Sequence, residues 1–149
     1  MNELDALKLE NQLCFLLYAS SRELTKKYKP LLEELDVTYP QYLVLLLLWE
    51  HKSLSVKEMG HHLYLDSGTL TPMLKRMEQQ QLLERKRSLE DERSVLITLT
   101  EKGASLQQKA ECIPTEILKL FGKSSKEIND LKQSLQLLLE NLTKQHKEI

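Results

Sequence analysis

Glycine and proline are scarce in these 149 residues, with four of each, and that scarcity speaks against a disordered chain and against an all-β one. Cysteine occurs only twice, at Cys14 and Cys112, with no CxxC pair and no spacing that would build a zinc site. The start, MNELDALKLENQ, lacks a basic segment followed by an apolar core, so no secretory signal is expected. The longest apolar run, residues 42–49, is far too short to span a bilayer. A cytoplasmic protein without a membrane partner is the expectation, and in that reducing setting neither cysteine should sit in a permanent disulfide. Internal repeats and low-complexity stretches are absent as well. A large charge of either sign is also missing: the net charge is -1, which taken alone argues against a nucleic-acid partner.

What is present is a chain 41% hydrophobic and 29% charged, long enough for one domain with a real core and short for two. The basic residues bunch as Lys75 and Arg76, then Arg85, Lys86 and Arg87, then Arg93, while much of the acid lies toward the ends. A two-fold dimer would present such a patch twice, so a near-neutral chain can still carry a basic face.

Periodicity organises the rest. Leu9, Leu13, Leu16, Leu17 and Leu24 recur at helical intervals, which predicts one long helix over 3–28. Pro30 fits the first turn of a short helix after it. Thr38 with Gln41, and Ser55 with Glu58, are capping-box pairs that open helices at 39 and 56. Asp66 or Ser67 caps the next helix, whose inward stripe is Leu70, Met73, Leu74 and Met77. LLERKR and SVLITLT, separated by polar turn residues, read as a two-stranded hairpin. Thr100 opens a further helix, Pro114 interrupts it, and Ser124 with Glu127 opens the last. There Leu131, Leu135, Leu138 and Leu142 form a coiled-coil-like seam long enough to join a partner.

A short helix, a helix with a polar nose and a basic hairpin, in that order, describe a helix-turn-helix with a wing. The expected fold is mostly α with a small β-hairpin wing. Residues 36–100 would form the DNA-binding region, and 1–35 with 101–149 the dimerisation helices. A helix fits the major groove and presents its N-terminal side chains to base edges. Ser67, Thr69 and Thr71 lie at that end of the second helix, and Lys75 and Arg76 follow within one or two turns. Arg85, Lys86 and Arg87 would line the hairpin, and Arg93 at its tip could enter a narrow minor groove. Each of these residues taken singly reads equally well as solvated surface.

DSGTLTPMLKRMEQQ and RKRSLEDERSVLITLTEKG together resemble the MarR family of winged-helix regulators. The wing signature lies in Asp91, Arg93, Leu99, Thr100 and Gly103. LENQLCFLLYASSRE resembles the organic-hydroperoxide-sensing, OhrR-type branch of that family. The resemblance implies a homodimeric repressor on double-stranded, pseudo-palindromic operator DNA, with Arg93 in the minor groove and Asp91 orienting it.

Cys14 reads two ways from its neighbours. A cysteine mid-helix among apolar residues is ordinarily inert packing. Tyr18, four residues on, shares its face and could donate to the sulfur. The family resemblance implies the second reading, with Tyr18 and the opposite subunit's copy of Tyr28 as hydrogen-bond donors to a peroxide-sensing thiolate. Phe15, Leu16 and Trp49 would then favour an apolar peroxide, and a mixed disulfide with a small cellular thiol is the preferred end-point over a Cys14–Cys112 bridge. Three rivals stand beside it: a phenolic-ligand sensor with Cys14 as packing, a metal site using Glu58, His61 and His62, and a thiol peroxidase. No His pair four residues apart supports the metal, no cofactor is implied, and the peroxidase leaves the DNA-reading elements unexplained.

Overall fold

The structure, a computed structural model, describes residues 2–90 and 94–148, the side chains of 145–148 excepted. The expectations placed on Asp91 and Arg93 lie outside the described residues. The chain divides into two compact units, Met1–Glu111 and Cys112–Ile149.

In the first unit, helix α1 (Glu3–Ala6) and a 3-10 turn (Leu9–Asn11) precede the long helix α2 (Leu13–Glu33). The continuous helix expected from residue 3 is therefore broken twice. Lys8 and Gln12 adopt extended backbone. Side-chain amides take carbonyls in this segment: Asn11 Nδ2 donates to Asp5 at 2.7 Å, and Gln12 Nε2 to Ala6 and Lys8 at 2.6 and 2.9 Å. Such local side-chain bonds offer the backbone an alternative to the helical ladder. Pro30 departs from expectation in the opposite sense, because α2 runs through it to Glu33. The missing N–H falls on an exposed stretch, and continuing the helix buries Leu32.

Helix α3 (Tyr39–His51) opens with the reciprocal Thr38–Gln41 capping box and runs into the middle of the unit, where Val44, Leu45 and Leu48 are fully buried. Strand β1 (Ser53–Ser55), helix α4 (Val56–Leu63), helix α5 (Ser67–Gln79), strands β2 (Leu83–Arg87) and β3 (Val95–Leu99) and helix α6 (Glu101–Ala110) follow. Met59, Leu70, Leu74, Met77, Leu83 and Ile97 close the core around α3. Each such side chain contributes about 1.5–3 kcal/mol on burial.

The sheet has three strands in the order β1-β3-β2, all antiparallel, instead of the two expected. Leu54 and Arg85 lie opposite Ile97 on its two sides. A strand of three residues shows no readable alternation, and its pairing with residues more than forty positions away is not a local signal. The sheet also fixes the start of α4, because Ser55 is at once the last residue of β1 and the helix cap.

In the second unit, helix α7 (Ile113–Lys119) has Pro114 in its first turn and buries Ile113 and Ile117. Helix α8 (Ser125–Glu148) is opened by Ser124 and Glu127, whose reciprocal bonds are both 3.2 Å. Leu131, Leu135, Leu138, Leu139 and Leu142 are exposed along it.

Candidate nucleic-acid interface and redox site

The turn between α4 and α5 is three residues long and closely packed. A Cβ on Gly60 would lie 2.5 Å from the Leu65 carbonyl oxygen and 3.3 Å from Leu70 Cδ1, so only glycine lets the two helices approach this far. Tyr64 takes the left-handed conformation that ends α4, and the Leu65 N–H donates back to the Gly60 carbonyl at 3.0 Å. Asp66 then caps α5 by accepting the Thr69 N–H at 2.7 Å. That bond, with the Thr69 side chain, holds the Asp66 carboxyl below its ordinary range.

Ser67, Thr69, Lys75 and Arg76 are exposed on α5 and Thr71 is half-buried, while Leu70, Leu74 and Met77 face the core. The helix therefore buries one side and leaves its polar N-terminal half open. A groove of about 790 Å³ runs between α4, α5 and the foot of the hairpin, lined in part by Lys57, His61, Ser67, Thr71, Ser94 and Val95. The hairpin closes beyond Arg87 through the Ser88 N–H to the Ser94 carbonyl at 2.8 Å.

The three basic residues of β2 differ in their partners. Lys86 is exposed and lies 3.6 Å from Glu84 on the same strand. Arg87 is exposed at the end of the strand. Arg85 is half-buried and turned toward α5, where Glu78 accepts its backbone N–H at 3.1 Å and its Nε and Nη2 at 3.2 Å each. Nothing local in the sequence marks Glu78, since the pair meets only when the chain folds back from helix to strand.

Cys14 lies in the first turn of α2 and is exposed, neither mid-helix nor packed. The break at Gln12 that the periodicity did not show is what places it there. Its neighbours Leu13, Leu16 and Leu17 are exposed, and so are Leu4, Leu7 and Leu9 before it. Phe15 and Leu16 line an open groove of about 660 Å³ with Lys8, Leu9 and Glu10.

Tyr18 is exposed, with the Arg22 guanidinium 4.9 Å from its ring centroid. Tyr28 packs against Tyr39 and Tyr42 of α3, at centroid separations of 4.6 and 5.9 Å. Burial first, and then the two neighbouring phenols, push the Tyr28 hydroxyl up to about 12. Tyr28 is therefore a proton-bearing donor throughout the physiological range. Within one chain, among the described residues, neither Tyr18 nor Tyr28 reaches Cys14 in a hydrogen bond. Trp49 is occupied with Tyr42, 6.3 Å away edge-on, and with the Gly103 carbonyl. Cys112 is exposed at the cap of α7.

The histidines gather loosely. His62 stacks on His51 at 5.4 Å and stands 6.4 Å from His61. Among the described residues, no three His, Cys, Asp or Glu side chains come together in a way that could hold a metal ion. No helix among them is long and apolar enough to cross a membrane.

The family model described as "Transcriptional regulator SarA/Rot" matches residues 26–110. Over 141 residues the chain is 68% identical to the organic hydroperoxide resistance transcriptional regulator of Bacillus subtilis, covering 95% of this chain and 96% of that one. The chain belongs to the MarR/SarA family of winged-helix transcriptional regulators.

Among solved members of this family, AbfR of Staphylococcus epidermidis is 37% identical with a TM-score of 0.75, over 95% of this chain and 98% of that one. Reduced AbfR bound to DNA matches at 39% identity and TM-score 0.72, covering 91% and 98%. Its overoxidised form bound to DNA matches at 39% and 0.73, covering 93% and 99%. A variant of MarR from Escherichia coli in complex with operator DNA is 25% identical, with a TM-score of 0.78 over 85% and 93% of the two chains.

Proposed function

We propose that this family member is a homodimeric repressor that holds double-stranded operator DNA while Cys14 is reduced and releases it when an organic hydroperoxide oxidises Cys14. The observation that carries the reading is the placement of Cys14. It is exposed in the first turn of a helix, amid surface leucines, in a chain whose α4–α5 unit leaves a polar helix nose open.

Ser67, Thr69, Thr71, Lys75 and Arg76 read the major groove or its phosphates. Lys86, Arg87 and Arg93 contact the backbone and minor groove beside the hairpin, with Asp91 orienting Arg93. Residues 36–100 form this reading head. The helices of 1–35 and 101–149 make the dimer, which covers the leucines of the α2 start and of α8. A two-fold dimer requires a pseudo-palindromic operator with half-sites about one helical turn apart.

In the redox step the Cys14 thiolate attacks the O–O bond of the peroxide. An S–O bond forms, the O–O bond breaks, sulfur loses two electrons and the alkoxide leaves as alcohol after taking a proton. The sulfenate takes up a proton and condenses with a cellular thiol to a mixed disulfide and water. Tyr18, and Tyr28 of the opposite subunit, donate to the thiolate, and the new bulk breaks those bonds and shifts the reading heads. AbfR has been solved overoxidised on DNA, so the bulky mixed disulfide is the product to which release is assigned here. Each subunit reacts once, which makes the protein a cytoplasmic sensor and not an enzyme. About 3 kcal/mol of difference between the two states weakens binding roughly a hundredfold.

Gel shift of the reduced protein on promoter DNA, with and without cumene hydroperoxide and a thiol, tests this for wild type and Cys14→Ser. Loss of binding in the wild type alone, reversed by dithiothreitol, is the expected result. Equal behaviour of the two proteins would make Cys14 a passive surface residue.

A further inference from the structure

Arg85 sits on an edge strand. The sheet order places β2 outermost, paired only with β3, and Arg85 lies directly opposite Ile97. Its backbone N–H points away from β3, toward α5, and would be left open there if Glu78 did not accept it. The same carboxylate takes Nε and Nη2 of the Arg85 side chain. One carboxylate thus collects three donors from one residue of the wing, and the ion pair is partly buried, with 25% of the Arg85 side chain and 39% of that of Glu78 exposed. Glu78 is the penultimate residue of α5, so its backbone moves with that helix.

The connection between α5 and β2 is fixed at its inner end by other bonds. Lys102 Nζ donates to the Gln80 carbonyl at 2.9 Å and Thr100 Oγ1 to the Gln81 carbonyl at 2.6 Å. The Leu82 N–H donates to the Met77 carbonyl at 3.0 Å. These hold the turn, and the ladder to β3 holds the strand within the sheet, but neither ties the outer part of β2 to α5. Among the described residues, the Glu78–Arg85 bonds are the polar ties between α5 and β2 outside that turn.

We propose that Glu78 is the positioning residue that locks the wing to the recognition helix, and that Arg85 serves this lock instead of contacting phosphate. The inference rests on the DNA-binding function proposed above. It assigns to an acidic residue, which ought to repel DNA, a part in binding it. A duplex is read in two grooves at once only if helix and hairpin meet it at one fixed separation. A side chain that holds that separation raises affinity for the operator without touching it.

The two possible roles of Arg85 give Glu78→Gln opposite signs. The substitution keeps size and shape and removes one negative charge. If Arg85 is a phosphate contact restrained by Glu78, the variant frees it, and operator binding tightens with a steeper salt dependence. If Glu78 positions the wing, operator binding weakens about tenfold, roughly 1.4 kcal/mol, although the charge change favours DNA. The salt slope then becomes shallower, because an unlocked wing weakens the backbone contacts of Lys86 and Arg87.

The experiment measures operator and random-sequence affinity across a salt series for wild type, Glu78→Gln, Arg85→Gln and the double variant, with hydroxyl-radical footprints. Expected are similar losses on the operator for both single variants, no further loss in the double variant, and weakened protection next to the wing with recognition-helix protection kept. Binding to random DNA should be unchanged or tighter for Glu78→Gln. Thermal melts keep the readout independent of folding, since partial unfolding would lower all protections together. Tighter operator binding by Glu78→Gln, or a salt slope lowered by about 0.9 in Arg85→Gln but not in Glu78→Gln, overturns the lock. If the wild type binds no promoter DNA, it is the proposed function that fails.

Discussion

Trp49 donates its indole N–H to the backbone carbonyl of Gly103 across 3.0 Å, joining the central helix α3 to the first turn of α6. Its ring also meets Tyr42 edge-on. Trp49→Phe keeps an aromatic ring and deletes the donor, so stability should fall by about 1–2 kcal/mol. Urea unfolding checks this: the midpoint should drop with little change in slope.

Two of the four glycines cannot accept a side chain. A Cβ at Gly103 would fall on the Leu82 carbonyl oxygen and lie 2.6 Å from Leu99 Cδ1, and one at Gly60 would press the Leu65 carbonyl. Backbone oxygens cannot rotate aside, so Gly60→Ala and Gly103→Ala should each destabilise by about 2–3 kcal/mol. Gly68→Ala meets only the Asp66 side chain, at 3.3 Å, and should stay within about 0.5 kcal/mol of wild type. Thermal melts of the three variants should preserve that ranking.

Base should loosen the fold through Tyr28. Its hydroxyl is raised from the ordinary 10 to about 12 by burial and by Tyr39 and Tyr42. The folded state then holds this proton more tightly than the unfolded state does. The stability linked to it is complete below pH 10 and is lost as pH climbs toward 12. Melting temperature followed over that interval should fall less in Tyr28→Phe than in wild type. An identical slope in both would place the base sensitivity elsewhere.

The leucine face of α8 should be needed for association and not for the helix itself. Leu135 is 42% exposed in the single chain. Leu135→Asp should therefore sediment as a monomer where the wild type is a dimer, with little loss of helical circular dichroism. A variant that still pairs would remove this face from the dimer.

Much of the architecture could be read from local chemistry. Thr38 with Gln41, Ser55 with Glu58, and Ser124 with Glu127 marked helix starts because a cap acts within four residues and needs nothing distant. The features that escaped depend on partners remote in sequence or on competition within a segment. Strand β1 exists because Ser53–Ser55 meet Leu96–Thr98. The amides of Asn11 and Gln12 won carbonyls from a helix that the leucine spacing favoured. The same break moved Cys14 from mid-helix to a helix start. Arg85 looked like the other hairpin cations until folding brought Glu78 beside it.

Among the described residues, Asp36, Lys52, Tyr64 and Gln81 hold positive φ where helices end. Side chains at such corners narrow the range of shapes the unfolded connectors can sample, and glycines in their place would widen it. In the folded chain the same side chains leave each of these corners fewer backbone conformations than glycine would. A reading head with stiff corners arrives at a double helix already shaped, so the disorder that must be given up was surrendered when the chain folded, before any DNA was met. Selectivity then follows: a duplex whose grooves do not match the preset shape finds little give in the protein, and any adjustment falls to the DNA.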